Sequence, residues 1–462
     1  MKKQNRVAFF NILSTVILNV LPLITATLFT RLLGTSGYGI LATYNIWVAA
    51  AAIVCPLQSQ GSLVNARIEY NESEQLGYQS SVMTLSMAAF ALWTVLTLAF
   101  LKPISQALAL PSQVVLIMLA QSFGTFCVSF FGTKLIYELK AGRNMLLSVG
   151  VALATFGVSL VLVLRLPQDS RYLGRIWGNA SVYALTGVGL CGYILGKGKV
   201  FYNRTYWKFC LSLSVPLMFY NLSGLLLGYC DQLMVRGFLG NSQAGIYGFA
   251  YQFAGVMFAI FGALNNTWVP FFFNDKKAGD TEKILSQAKN FMELFTILSM
   301  GFVLLTPEVF HLLASSDYWP GTELIPLFVT GHYLNFLCTF PVNVENYHKK
   351  VRVVAAVTVT SSLLNMVLNY FLIHAMGTTG AVLATVISHV FQLIFHYLYC
   401  TQRLEKTDYA FPVRRWGAYA LAFFAALGIS YLPGKFWILR WGIGAVLGVW
   451  ELLRIRRRKV LL

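Results

Sequence analysis

The sequence predicts an all-α, polytopic membrane protein of about fourteen transmembrane helices, with two six-helix lobes in a parallel repeat and two further C-terminal helices. The chain is 57% hydrophobic and only 11% charged, with a mean hydropathy of +0.64, whereas soluble domains carry about 25% charged residues. Apolar runs of about 20 residues, each enough to cross a ~30 Å bilayer core, recur along the sequence. A glycine-rich segment of the first half also has a near-copy in the second half.

Hydropathy places the spans by their apolar runs, which are separated by short connections. The basic N-terminus resembles the start of a signal peptide, but its apolar run is long enough to span and lacks a small-x-small cleavage site, which predicts a retained first helix. The fourteen spans are predicted near 7–30, 38–62, 80–101, 112–137, 145–165, 174–196, 209–231, 243–273, 291–314, 322–345, 353–373, 378–399, 414–432 and 436–453.

The basic residues alternate between the two sides of these spans. Counted from an inside N-terminus, 27 of the 35 Lys and Arg residues fall in inner connections and 8 in outer ones. Cytoplasmic connections carry such an excess, so both termini are predicted to be cytoplasmic. The net charge of +18 therefore reflects topology, and no nucleic-acid binding is predicted.

The repeated segment supports the division into lobes. Residues 32–39 read LLGTSGYG and predict a turn after span 1, and residues 238–248 read FLGNSQAGIYG after span 7. Spans 1 and 7 both start on the inner side, so the repeat is parallel. The predicted domains are a first lobe at 1–196, a cytoplasmic linker at 197–208, a second lobe at 209–399, and two extra spans with a basic cytoplasmic tail at 400–462.

Polar side chains within the spans are the candidates for substrate binding, because a polar group in hydrocarbon needs a partner or a water-filled cavity. A hydrogen bond between helices would explain each of these residues alone. Several spans, however, carry polar residues on one face, and the lining of a shared aqueous cavity requires this. The substrate-binding candidates of this kind are Asn45, Asn221, Asn265, Asn266, His332 and Asn335.

Four cations complete the substrate-binding set, namely Arg31, Arg67, Lys134 and Arg143. The last three cluster on the inner side of the first lobe, and they are the candidates for phosphate binding, for which the bidentate geometry of Arg is suited. An i,i+4 ion pair with Glu138 is the alternative for Lys134. No Arg or Lys lies deep within a first-lobe span.

Three residues are candidates for coupling or gating. Asp231, at the outer end of span 7, would cost about 2.5–3.5 kcal/mol at mid-bilayer, and Arg236 follows five residues later. They predict either an ion pair that caps the turn or a role in transport. His389 is predicted either to carry a coupling proton or to be a packing histidine held by a hydrogen bond.

Catalytic and cofactor motifs are not found in the sequence. The six histidines lack metal-ligand spacing, and there is no P-loop or GxSxG elbow. The seven cysteines form no CxxC pair and are predicted to be buried thiols rather than a disulfide framework. The chain is therefore predicted to be no enzyme, and to hold neither a metal nor another cofactor.

The sequence around the two turns resembles the polysaccharide transporter family, the O-antigen and capsule repeat-unit flippases of the multidrug/oligosaccharidyl-lipid/polysaccharide exporter superfamily. The resemblance rests on three segments, FTRLLGTSGYG at 29–39, DQLMV at 231–235 with Gly240 and GIYG at 245–248, and Ser214-Val215-Pro216.

This resemblance implies two six-helix bundles around a central cavity and transport by alternating access. The implied substrate is a polyprenyl-diphosphate-linked oligosaccharide, exported for surface polysaccharide from a bacterial cytoplasmic membrane. The implied partners are membrane lipid, a polysaccharide polymerase and glycosyltransferases.

Two other functions stay open. An ion-coupled multidrug or metabolite antiporter of the same superfamily would need buried carboxylates, of which the sequence offers few in mid-span. A membrane polysaccharide polymerase would need a large outer loop, and the connection 165–174 is short. A purely structural scaffold is disfavoured by the repeat and by the polar faces of the spans.

Overall fold

The computed structural model describes residues 3–138, 140–406, 411 and 413–458, with side chains at all of these except 3–20, 23, 227, 413, 415, 455, 457 and 458. All regular structure in these ranges is helical, which confirms the predicted fold class. The helices are α1 (Lys3–Val54), α2 (Leu63–Glu69), α3 (Gln75–Ala99), α4 (Leu101–Leu108), α5 (Ser112–Tyr137), α6 (Ala141–Arg165), α7 (Arg171–Gly198), α8 (Arg204–Ala278), α9 (Thr281–Leu313), α10 (Leu324–Tyr347), α11 (Val351–Met376), α12 (Thr378–Tyr399), α13 (Val413–Ser430) and α14 (Trp437–Arg458).

Eleven helical stretches among the described residues are long and apolar enough to cross a membrane. The chain is therefore a multi-pass membrane protein, while the exact number of fourteen spans stays a prediction. Residues 459–462 of the predicted basic tail lie outside the described residues.

The chain divides into two compact units, Met1–Cys230 (unit 1) and Asp231–Leu462 (unit 2). In unit 1, α7 packs against α3, α5 and α6, and α1 packs against α5, α6 and α7. In unit 2, α12 packs against α10 and α11, while α9 packs against α13 and α14. The lobe boundaries inferred from the sequence stay predictions.

The two repeated segments are single-residue breaks rather than turns several residues long. Only Gly34 leaves the helical conformation within α1, with φ 67° and ψ 173°. Gly240 does the same within α8, with φ 86° and ψ 178°. The predicted turn at 32–39 was therefore too long, because one glycine in a region closed to other residues is enough to redirect a helix. The two breaks share one backbone conformation, as expected of a repeat.

Replacement of Gly240 by Ala is expected to destabilise the protein. No atom lies within 4 Å of the position that a Cβ on Gly240 would occupy, so the cost arises from backbone conformation alone, about 1–3 kcal/mol. Thermal unfolding in detergent should show a lower midpoint. Gly237→Ala is the matched control, since it is equally uncrowded and lies in regular helix, where Ala is favoured. Equal midpoints for the two variants would contradict this account.

Small residues let α7 approach its neighbours closely in unit 1. A Cβ on Gly178 would lie 2.4 Å from the Ser159 Oγ of α6, and one on Gly124 of α5 would lie 2.1 Å from the Tyr183 carbonyl oxygen. Small residues at membrane helix interfaces permit such contact between backbones. The packing fixes the rotation of α7, and with it the position of Arg175.

Two ion pairs join α9 to α14 in unit 2. The Arg454 Nη1 donates to the Glu293 Oε2 at 2.5 Å, and the Arg440 Nη2 donates to the Glu308 Oε1. Both arginines and Glu293 are buried. The carboxylates lie fifteen residues apart on α9 and the arginines fourteen apart on α14, so the pairs hold the two antiparallel helices together along their length.

Candidate functional site

A cavity of about 540 Å³ in unit 1 is rich in basic residues, and we call it the basic cavity. It lies where α5 ends and α6 begins. Its charged lining consists of Arg67, Glu72, Lys134, Glu138, Lys140 and Arg143. The structure thus brings together the three cations that the sequence indicated for phosphate binding, and it adds Lys140, which sequence reasoning missed. Their role in binding stays a prediction.

Lys134 is the most buried cation of the basic cavity, with 7% of its side chain exposed. Its Nζ lies 3.9 Å from the Glu138 Oε1, and 5.6 and 5.7 Å from the ring centroids of Phe131 and Tyr193. Glu138 is shared, because its Oε2 also accepts from the Lys140 Nζ at 2.6 Å. The i,i+4 pair considered as an alternative is therefore formed by a lysine that also lines the cavity.

The basic cavity carries a surplus of positive charge. Four cations face two carboxylates in its lining, which leaves a net charge of +2. The Arg67 Nη2 lies 3.5 Å from the Glu72 Oε1, and both side chains are exposed, so that pair is weak and easily exchanged for a ligand. The arrangement can bind an anion, and Lys134 would bind it most strongly because it is partly removed from water.

A second cavity of unit 1, about 340 Å³ in volume, contains Asn45 and three polar residues that sequence reasoning did not single out, Gln121, Arg175 and Asn179. We call it the Arg175 cavity. The sequence counts Arg175 among the outer cations, at the outer end of the span predicted at 174–196, but α7 begins at Arg171, so Arg175 lies one turn inside the helix. The available signal was the spacing Gly174-x3-Gly178, typical of close helix packing, which brackets Arg175.

The third candidate site surrounds Asp231 in unit 2. Its Oδ1 accepts from the Asn369 Nδ2 at 2.5 Å, and its Oδ2 accepts from the Thr385 hydroxyl at 2.5 Å and the Tyr247 hydroxyl at 3.4 Å. Asn365 also donates to the Oδ1 at 2.8 Å when its amide is oriented with nitrogen toward Asp231. We call these five residues the Asp231 cluster.

These hydrogen-bond partners of Asp231 are all neutral. Arg236, predicted as its ion-pair partner, instead donates its Nε to the Asn241 Oδ1 at 2.7 Å. The sequence contained a signal for the true partners, since Asn365 and Asn369 are an i,i+4 pair in one span, but nothing local linked them to Asp231.

The Asp231 cluster offers oxygen ligands suited to a small, hard cation. The carboxylate, the Thr385 hydroxyl and the two amide oxygens could all turn toward it, and the Asn369 Oδ1 is buried without a hydrogen-bond partner. Protonation would equally neutralise the Asp231 carboxylate. The cluster can therefore exchange a cation or a proton.

The other candidates are not among the residues named for these three sites. His332 packs against Phe258, with ring centroids 5.3 Å apart, and the His389 Nδ1 lies 3.4 Å from the Gln392 Oε1. The Asn265 Oδ1 is buried without a partner, and Asn266 is exposed. Arg31 is exposed three residues before the break in α1, while Asn221 on α8 and Asn335 on α10 are half-buried.

Comparisons with known proteins agree on a family and a fold. A family model described as "Polysaccharide biosynthesis protein" matches residues 6–276, more than half of the chain. A structure of the lipid II flippase MurJ in an inward closed conformation has a TM-score of 0.71 at 16% identity, covering 98% of this chain and 100% of that one. An inward-facing multidrug resistance MATE family transporter of the MOP superfamily has a TM-score of 0.61 at 11% identity, covering 90% and 99%. No protein of curated function matches the sequence.

Proposed function

The chain belongs to the polysaccharide biosynthesis protein family, and we propose that it is a flippase for polyprenyl-diphosphate-linked oligosaccharides. It moves repeat units across a bacterial cytoplasmic membrane by alternating access, for export of a surface polysaccharide such as capsule or O-antigen. The basic cavity, where four cations face two carboxylates, is the observation that carries this proposal.

The substrate has a charge that matches the basic cavity. A diphosphate diester carries two negative charges, and the cavity carries a surplus of two positive ones. Lys134 offers a desolvated ammonium group and Arg67 a guanidinium fork, which binds phosphate oxygens bidentately. The protein replaces the water around diphosphate and sugars, whose transfer through hydrocarbon is otherwise prohibitive. The fold shared with a lipid II flippase supports a lipid-linked substrate.

The Asp231 cluster supplies coupling in this proposal. A carboxylate with neutral partners binds a monovalent cation or a proton, and loses it when the unit rearranges. The threonine on α12 and the asparagines on α11 contact a carboxylate on α8, so occupation of the site tightens three helices. Arg236 and His389 lie outside this cluster, and we propose gating roles for them only.

The Asp231 cluster also favours a second candidate, the ion-coupled antiporter. The sequence offered few carboxylates in mid-span, but Asp231 is held in a polar pocket of unit 2 that suits a coupling ion. A buried carboxylate on its own serves either function, so the choice between them rests on the substrate that moves.

The proposed orientation has both termini in the cytoplasm, which puts the basic cavity on the side where lipid-linked precursors are made. The proposed partners are membrane lipid, a polysaccharide polymerase that uses the exported units and the glycosyltransferases that build them. No nucleic acid is involved.

Transport in proteoliposomes tests the proposal. A fluorescent polyprenyl-diphosphate oligosaccharide is reconstituted with the full chain, and a membrane-impermeant quencher reports the label in the outer leaflet. Protein-dependent exchange between leaflets, accelerated by a pH or sodium gradient, is expected. The same lipid with a neutral headgroup is the control. Gradient-driven efflux of a small cationic dye without lipid exchange would favour the antiporter.

A further inference from the structure

The Arg175 cavity has no part in the function proposed above, yet its chemistry is specific. It is distinct from the basic cavity, although both are in unit 1 and share α5. Gln121 in one and Lys134 in the other are thirteen residues apart, about 20 Å along the helix. Unit 1 thus has two separate polar cavities along α5.

Arg175 carries a charge that the described part of the chain does not neutralise. Its guanidinium carbon lies 4.1 Å from the centroid of the Phe29 ring, and its Nη1 is buried without a hydrogen-bond partner. The residues described around the cavity include no Asp or Glu, and the first acidic residue of the sequence is Glu69. A partly buried cation without a counter-ion is unfavourable, so the cavity favours an anion.

The neighbouring amides present hydrogen-bond donors to the same space. The Gln121 Oε1 accepts from the Tyr44 hydroxyl at 2.8 Å, and the Asn179 Oδ1 accepts from the Ser159 hydroxyl at 3.2 Å. Among the described residues neither NH2 group donates a hydrogen bond, so both are left for a ligand. Two amide donors beside a guanidinium form a site for an oxyanion.

Two threonines add acceptors rather than donors. The Thr25 hydroxyl donates to the Pro22 carbonyl at 3.0 Å, and the Thr155 hydroxyl donates to the Val151 carbonyl at 2.5 Å. Their oxygens can therefore accept from hydroxyl groups of a ligand. Both line the cavity, whose volume of about 340 Å³ is within the range of small-molecule sites.

We infer that the Arg175 cavity is a second anion site, which binds one carboxylate or phosphate group of a hydroxylated ligand, such as an acidic sugar. Only the source of the ligand rests on the proposed function, in which the acidic sugar belongs to the lipid-linked oligosaccharide. A free sugar acid or inorganic phosphate has the same chemistry, and the experiment separates these sources.

Calorimetric titration of the full chain in nanodiscs tests the site with three probes, glucuronate, inorganic phosphate and glucose. Glucuronate should bind, glucose should not, and Arg175→Gln should weaken glucuronate binding by about tenfold to a hundredfold, as expected for a lost charge-assisted hydrogen bond. Arg175→Lys keeps the charge and should restore part of the affinity. Such a recovery would show that the affinity lost in Arg175→Gln does not result from unfolding.

Two variants serve as controls. Arg171→Gln removes an arginine of the same helix that donates to the Leu32 carbonyl, and Lys102→Ala removes an exposed cation of α4 that lines neither cavity. Neither should change glucuronate affinity. Unchanged binding in Arg175→Gln, or an equal loss of binding in Lys102→Ala, would overturn the inference. If inorganic phosphate binds and glucuronate does not, the inference that the ligand is an acidic sugar is wrong.

A transport measurement identifies the source. Lipid-linked oligosaccharides with and without glucuronate are compared in proteoliposomes, and Arg175→Gln should slow only the acidic one. A chain that binds glucuronate through Arg175 and moves neither lipid would refute the proposed flippase and leave the site standing. Equal slowing of both lipids would overturn the acidic sugar as ligand.

Discussion

The double variant Arg67→Ala, Lys134→Ala is expected to lose about 90–99% of its lipid transport rate. Each side chain contributes a charge-assisted hydrogen bond to phosphate, worth about 1.5–3 kcal/mol. The contribution of Arg67 is smaller than this, because 41% of its side chain is exposed to solvent. Lys134 should have the larger effect alone, since it is buried. Initial rates in proteoliposomes at several substrate concentrations would show the loss as a raised apparent KM.

Lys102→Ala is the matched control for these variants, because it removes an exposed cation of α4 that is not among the residues lining the basic cavity. Its transport should equal that of the unmodified chain. If the double variant transports normally, phosphate capture by the basic cavity is wrong, whatever the substrate proves to be.

Asp231→Asn is expected to abolish the response of transport to an imposed ion gradient. The change keeps the shape of the side chain and its neighbours Asn369 and Thr385, but removes the charge that holds a cation or proton. A lost charged ligand weakens such a site by about 100-fold or more. Exchange between leaflets in the absence of a gradient should persist, and the gradient arms of the proteoliposome assay should become indistinguishable.

Asp317→Asn is a suitable comparison, since Asp317 is an exposed carboxylate outside the Asp231 cluster. It should keep the full gradient response. A gradient response retained by Asp231→Asn would rule out the cluster as the coupling site. A shifted preference between sodium and proton gradients would identify which ion the carboxylate binds.

The sequence was sufficient to predict features that depend only on the position of a residue along the chain. Arg67, Lys134 and Arg143 belong to successive predicted inner connections of one lobe, so the alternation of the spans predicts that they lie on the same side of the membrane. The break at Gly34 was also expected, although its length was overestimated because the flanking residues tolerate helix.

Contacts that depend on helix rotation could not be inferred in this way. Asp231 meets Asn369 and Thr385, which are 138 and 154 residues further along, and only the rotation of three packed helices brings them together. Arg175 is counted with the outer cations because the predicted span begins at residue 174, and hydropathy could not show that the helix begins earlier, at Arg171.

The two ion pairs between α9 and α14 have a consequence for biogenesis. Synthesis from the N-terminus delivers Glu293 and Glu308 to the bilayer well before Arg440 and Arg454 leave the ribosome. Until then the two arginines are missing, and loss of one partner from a pair that is buried on both sides, such as Glu293 and Arg454, costs about 3–5 kcal/mol. Docking of α14 therefore completes the charge balance of α9, and a chain truncated before α14 is expected to be less stable than the full chain.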